Sequence, residues 1–151
     1  KYYQQNAPLA KHFHQNLAKL MSLVTGEEVN PSYVYAASYL EGAVLKPHLD
    51  REACEFSFSF QVDYQPEPAD RLSPWGLYLS TKEICDASDA FGWEDFPPDD
   101  TGSKAVYLAG GDALVYKGRE LVHYRYALPA GHRSTSLFFH YVPQDFAGGL
   151  S

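Results

Sequence analysis

The sequence predicts a mainly β domain with one supporting helix near its N-terminal end. Three observations predict it. Aromatic residues make up 15% of the 151 residues, and flat or branched side chains fit a pleated surface. Residues 55–62 set Phe56, Phe58, Phe60 and Val62 against Ser57, Ser59 and Gln61, the two-residue period of a strand. The last third is a series of short β-rich runs separated by turns, the spacing of a β-sandwich or barrel. The length suits one domain over residues 1–151 with a single core.

The supporting helix is expected at about residues 7–25. Leu9, Phe13, Leu17, Leu20, Met21 and Val24 recur every three or four residues and would form one apolar stripe. Pro8 suits a first turn and Gly26 a stop. His12 and His14 lie two apart, so a helix points them to nearly opposite sides and they cannot share a metal. Both are expected at solvent or at the helix edge.

The β core is expected over about 32–62 and 76–143. In the first run Tyr33, Tyr35, Ala37 and Tyr39 share a face. Gly42 breaks it, and a second extended stretch runs from Leu45 to Asp50 before the 55–62 strand. Residues 63–103 gain Pro66, Pro68, Pro74, Pro97 and Pro98 with many Asp and Glu, and read as a loop or lid around one short strand at 76–80. Strands follow at 105–109, 113–116, 120–128 and 133–142, with turns at Gly110-Gly111-Asp112, Lys117-Gly118 and Pro129-Ala130-Gly131. The Gly-Gly pair is a hairpin turn, since no helix signal follows it.

Bulk properties narrow the function. A net charge of -7 argues against nucleic acid as the main partner. No apolar run reaches the ~20 residues of a membrane span. Cys54 and Cys85 lack zinc-motif spacing, and a reduced, cytoplasmic setting fits them. No Gly-x-Ser-x-Gly elbow supports a serine hydrolase.

The chemistry centres on His48-Leu49-Asp50. On an extended strand, residues two apart point the same way, so imidazole and carboxylate face one pocket. His123 follows 73 residues after Asp50, and Arg133 follows 10 after His123.

The stretches Tyr39-Leu40-Glu41-Gly42-Ala43-Val44-Leu45-Lys46-Pro47-His48-Leu49-Asp50 and Gly111–Tyr116 through His123 to Gly131-His132-Arg133 resemble the 2-oxoglutarate/iron(II) dioxygenase superfamily. The likeness is to its small prolyl-hydroxylase-like branch and covers roughly residues 30–143. It implies a double-stranded β-helix, a jelly-roll of two facing sheets. It implies Fe(II) held by His48, Asp50 and His123, with three positions left for 2-oxoglutarate and O2, and ascorbate as a candidate stimulant. Oxidative decarboxylation would give succinate and CO2 while a substrate C–H bond is oxidised. An aspartate ligand, where related halogenases carry a small residue, favours hydroxylation.

The far carboxylate of 2-oxoglutarate needs a fixed cation, and a guanidinium holds one through parallel hydrogen bonds. Arg133 is the first choice, because the turn at 129–131 would fold its strand back beside that of His123. Thr135 would share its face and donate a hydroxyl, and Tyr39 matches a family tyrosine that bonds the cosubstrate. Arg125 competes, two residues past His123 and facing the same interior, unless an acid such as Glu55 pairs with it. Arg51 and Glu55 read as surface charges or substrate gates, Trp75 and Trp93 as packing or substrate contacts, and Tyr35 as core packing. His140 alternates with Arg133 and should face away from the pocket. The expected substrate is an amino acid, peptide or small metabolite, with a nucleobase demethylase or a non-catalytic jelly-roll binding module as alternatives.

Overall fold

A computed structural model describes residues 1–81 and 102–150. Residues 82–101 of the 63–103 loop, with Cys85, Trp93, Pro97 and Pro98, lie outside the described residues. The described chain is mainly β, with antiparallel sheets and one α-helix.

The helix α1 spans Pro8–Thr25, with Pro8 in its first turn. Gly26 ends it at φ 79°, the left-handed conformation that glycine adopts without a Cβ penalty, and its N–H donates to the Ser22 carbonyl at 3.0 Å. The face that packs inward carries Ala10, His14 and Met21, with Leu17 and Ala18 partly covered. The predicted stripe is therefore rotated. Leu9, Phe13, Leu20 and Val24 are exposed. Small Ala10 and polar His14 occupy core positions that an apolar pattern does not mark. His14 is buried rather than at the edge: its Nε2 donates to the His140 carbonyl at 2.7 Å, and its own carbonyl accepts the Tyr141 hydroxyl at 2.8 Å.

The strands are β1 (Tyr2–Gln5), β2 (Val29–Leu40), β3 (Leu45–His48), β4 (Phe56–Gln65), β5 (Leu77–Leu79), β6 (Lys104–Val106), β7 (Ala113–Tyr116), β8 (His123–Arg125) and β9 (Arg133–Pro143). A 3-10 turn, Glu52–Cys54, precedes β4. One sheet has the order β1-β2-β9-β4-β7 and the other β3-β8-β5-β6. β1 was not expected; it adds to the edge of β2, with Tyr3 opposite Ala37. The run expected at 120–128 keeps only its centre as strand β8.

Strand alternation divides the larger sheet into two faces. One face sends Val34, Phe56, Phe58, Phe139 and Tyr141 onto Met21 of α1. The opposite face carries Ala37, Tyr39 and Phe138, which pack with Trp75 and Leu128. The same face holds buried Ser57, Ser59, Gln61, Ser134, Ser136 and His140. Contacts reach from it to the smaller sheet, where the Tyr116 and His123 rings lie 5.0 Å apart, and to the segment leading into β5, where those of Tyr39 and Trp75 also lie 5.0 Å apart. The phenylalanines of β4 thus build the helix-side core, while its alternate serines face a polar interior. Buried polar groups there bond one another, as Gln61 Nε2 does to Ser134 Oγ at 3.1 Å.

Candidate metal centre

His48 ends β3 and His123 begins β8, and the two are register partners in an antiparallel pair. Their ring centroids are 4.3 Å apart. Asp50, two residues beyond His48, is held by its backbone N–H to the Gly118 carbonyl at 2.8 Å. Its Oδ1 lies 3.6 Å from His48 Nε2 and 3.5 Å from His123 Nε2. Ligand atoms of the three residues all lie within 4.8 Å of one another.

The outer nitrogens fix the chemistry of the inner ones. His48 Nδ1 donates to the Lys46 carbonyl at 2.8 Å, and His123 Nδ1 to the Leu121 carbonyl at 2.9 Å. A carbonyl only accepts, so each Nδ1 carries a proton, and each Nε2 faces Asp50 as an N–H donor when the ring is charged and as a lone pair for a metal when the ring is neutral. Such backbone anchoring is how metal-binding histidines are oriented. Two imidazole nitrogens and one carboxylate oxygen, with no thiolate, suit a divalent iron-type ion rather than a structural zinc. Burial by itself raises the Asp50 carboxyl, but hydrogen bonds from His123 and His48 overcome it and hold the group well below the usual carboxylate range. Burial lowers the His48 imidazole, while the hydrogen bond to Asp50 raises it further, for a net rise.

The arginines are placed differently from the first expectation. β9 pairs with β2 and β4, and Arg133 sits opposite Leu40 and Gln65 rather than beside His123. The side chain of Arg133 is 54% exposed and lies 3.9 Å from the Asp63 carboxylate. Thr135 is on the same face, with its hydroxyl 2.7 Å from that of Ser38. The turn at 129–131 carries the chain into the other sheet, so counting residues along a hairpin did not apply. Arg125 lies in the interior, 5% exposed. Its guanidinium stands 4.7 Å over the Trp75 ring and donates to the Trp75 carbonyl. Burial pushes it down, opposed by Tyr116, Tyr39 and Tyr35 nearby. Among the described residues no carboxylate forms an ion pair with it; Glu55 instead accepts from Arg119 at 2.9 Å.

Tyr39 is buried with its ring against Trp75 and Phe138. Tyr35 stacks on Phe138 at 4.7 Å. A cavity of about 190 Å³ is lined by Lys1, Tyr3, Gln5, Tyr33, Tyr35 and Arg51. A larger groove of about 600 Å³ runs along the C-terminal turns of α1 and contains none of the converging residues. Volume alone does not locate the chemistry.

Three residues at this centre were missed by the sequence reading. Ser57 Oγ donates to Asp50 Oδ2 at 2.7 Å. His140 Nδ1 lies 3.1 Å from the same Oγ. Gly118 sits so close that a Cβ there would be 2.1 Å from Asp50 Oδ2 and 2.5 Å from Ser57 Oγ. Alternation with Arg133 was the right signal for His140, but Arg133 is the outward residue and His140 the inward one. Cys54 also approaches Asp50 and His140. Burial pushes its thiol up to about 11, so at neutral pH it is a protonated thiol.

Burial also lowers the His140 imidazole to about 4, and lowers that of His14. A depressed histidine remains neutral in the folded state while the unfolded chain takes up a proton. Stability is therefore full above the ordinary value of 6.5 and falls as pH drops from there toward about 4. Thermal melts of the metal-free protein should show a Tm declining across that window, as stability falls by at most about 1.4 kcal/mol per pH unit for each histidine. A pH-independent Tm between 6.5 and 5 would contradict the assignment.

No protein-family model and no curated protein matches the chain. Solved structures do match its fold. A 2OG-Fe(II) oxygenase family oxidoreductase from Burkholderia pseudomallei aligns at TM-score 0.61 and 16% identity, over 90% of this chain and 57% of that one. A Pseudomonas putida prolyl-4-hydroxylase aligns at TM-score 0.60 and 17% identity, over 94% of this chain and 71% of that one. Iron-bound HygX from Streptomyces hygroscopicus aligns at TM-score 0.61 and 13% identity, over 95% of this chain and 73% of that one. The described chain has the fold of these proteins, and it spans little more than half the length of the first.

Proposed function

We propose that this chain is an iron(II)- and 2-oxoglutarate-dependent oxygenase built on a double-stranded β-helix. It hydroxylates an amino acid, a peptide or a small metabolite and releases succinate and CO2. The observation that carries this reading is the convergence of His48 Nε2, His123 Nε2 and Asp50 Oδ1, with both Nδ1 atoms committed to backbone carbonyls.

His48, Asp50 and His123 would hold the iron, which when bound supplies activation of dioxygen. The remaining work falls to the chain's own side chains. Arg125 binds the far carboxylate of 2-oxoglutarate, because a buried guanidinium with no acidic partner among the described residues is costly until an anion arrives. Tyr39, one of the tyrosines near that guanidinium, offers a hydroxyl to the same ligand. Trp75 holds the guanidinium plane from one side through its ring and its carbonyl. The His48 side of the centre is the open one, its side chain 37% exposed against 3% for His123, and substrate approaches there. The net charge of -7 favours a small-molecule or peptide substrate over nucleic acid.

The test is reconstitution with iron(II). Anaerobic addition of 2-oxoglutarate should produce a weak visible charge-transfer band, and admission of oxygen should yield succinate even without the prime substrate. A band without succinate would mark a binding module that does not turn over. Neither signal in protein shown to be folded would remove the reading.

A further inference from the structure

A buried relay stands behind Asp50, outside the three converging side chains. Ser57 and His140 are direct cross-strand partners on β4 and β9, both pointing inward. The single Ser57 hydroxyl proton goes to Asp50 Oδ2 at 2.7 Å. The ionised carboxylate can only accept. The 3.1 Å contact between Ser57 Oγ and His140 Nδ1 must then be a donation from His140. That assigns its proton to Nδ1 and leaves Nε2 as a bare lone pair, and among the described residues Nε2 indeed has no hydrogen-bond partner. Neighbouring rings lock the imidazole in place, Tyr33 at 4.6 Å and Tyr35 at 6.0 Å. The absence of a Cβ at Gly118 leaves the room that Asp50 and Ser57 occupy.

We propose that His140, acting through Ser57, is a positioning residue that reserves Asp50 Oδ2 and so commits Asp50 to one-oxygen ligation through Oδ1. This rests on the reading of His48, Asp50 and His123 as an ion site. The physical case is directional. A carboxylate facing a cation can turn to bind it with both oxygens. Here Oδ2 already accepts a hydrogen bond from a hydroxyl whose own oxygen is polarised by a second donor. Bonds in such a chain strengthen one another in a low-dielectric interior. Turning Asp50 would break the Ser57 bond and leave that buried hydroxyl unsatisfied. One-oxygen ligation keeps free the coordination positions that a chelating cosubstrate and dioxygen both require.

Cobalt(II) is the probe, read by its visible d–d absorption during anaerobic titration of the full chain. Wild-type protein should bind one equivalent. Ser57→Ala, which removes a single buried oxygen, should weaken binding about 10- to 100-fold and change the d–d band, the usual cost of losing an outer partner of a ligand. His140→Ala should do the same, and His140→Asn, whose amide can still donate to Ser57, should recover most of it. Adding His140→Asn or His140→Ala to Ser57→Ala should cost nothing further in affinity, since the relay is already cut. Circular dichroism establishes that each variant is folded, and Ser57→Ala alone decides the matter if His140→Ala is not. Wild-type affinity and an unchanged band in folded Ser57→Ala would overturn the relay while leaving the ion site intact. Additive losses in the double variants would make His140 a packing residue only. Failure of the wild type to bind cobalt would remove the ion site, and the relay with it.

Discussion

Asp50→Ala is expected to abolish iron binding and all succinate formation. The carboxylate is the only anionic member of the converging group, and its Oδ1 is the atom that both imidazole nitrogens approach, at 3.6 and 3.5 Å. Loss of an outer partner costs about 10- to 100-fold in metal affinity, so loss of the ligand itself should exceed about 100-fold. Two neutral imidazoles would remain, with no charge to oppose that of a divalent ion. His123→Ala should behave likewise, because His123 is 2% exposed and its Nδ1 bond to Leu121 leaves the ring no other orientation. His12→Ala is the control: that side chain is exposed on α1 and, among the described residues, bonds only to Asn16 of the same helix. Isothermal titration with iron(II) under anaerobic conditions checks all three. Iron affinity near the wild-type value in Asp50→Ala would place the ion elsewhere.

The second large effect separates the two arginines. Arg125→Met should reduce 2-oxoglutarate affinity by roughly two orders of magnitude, the ~3 kcal/mol typical of truncating one partner of a buried charged pair. Iron binding should be little changed, since Arg125 is not among the converging ligands. Methionine keeps the stem volume over Trp75 and removes the charge. Arg125→Lys should recover only part of the affinity, because an ammonium cannot make two parallel hydrogen bonds to a carboxylate. Arg133→Gln should leave 2-oxoglutarate binding unchanged. That guanidinium is half in solvent on the opposite face of β9, close to Asp63. Titration of the anaerobic charge-transfer band gives the dissociation constants directly. A loss on Arg133→Gln with none on Arg125→Met would reverse the assignment and restore the first expectation.

Much of this protein was legible in the residues themselves. His48 and Asp50 come together because two is the period of an extended chain, a local property that needs no knowledge of the fold. The same period put Tyr33, Tyr35, Ala37 and Tyr39 on one face and separated the phenylalanines of β4 from its serines. Pro8 and Gly26 bounded α1 through backbone chemistry that acts within one turn. What the sequence could not decide was which of two equivalent faces looks inward. A period tells that Arg133 and His140 oppose each other, not which one meets the interior. That depends on β9 pairing with β2 and β4 rather than with β8, a long-range choice made by packing. The same holds for α1, where Ala10 and His14 are buried and Leu9 and Phe13 are not. Ser57, Gly118 and His140 became visible only when distant strands were brought within hydrogen-bond reach of one carboxylate. Local periodicity is a property of the chain; inside and outside are properties of the assembled sheets.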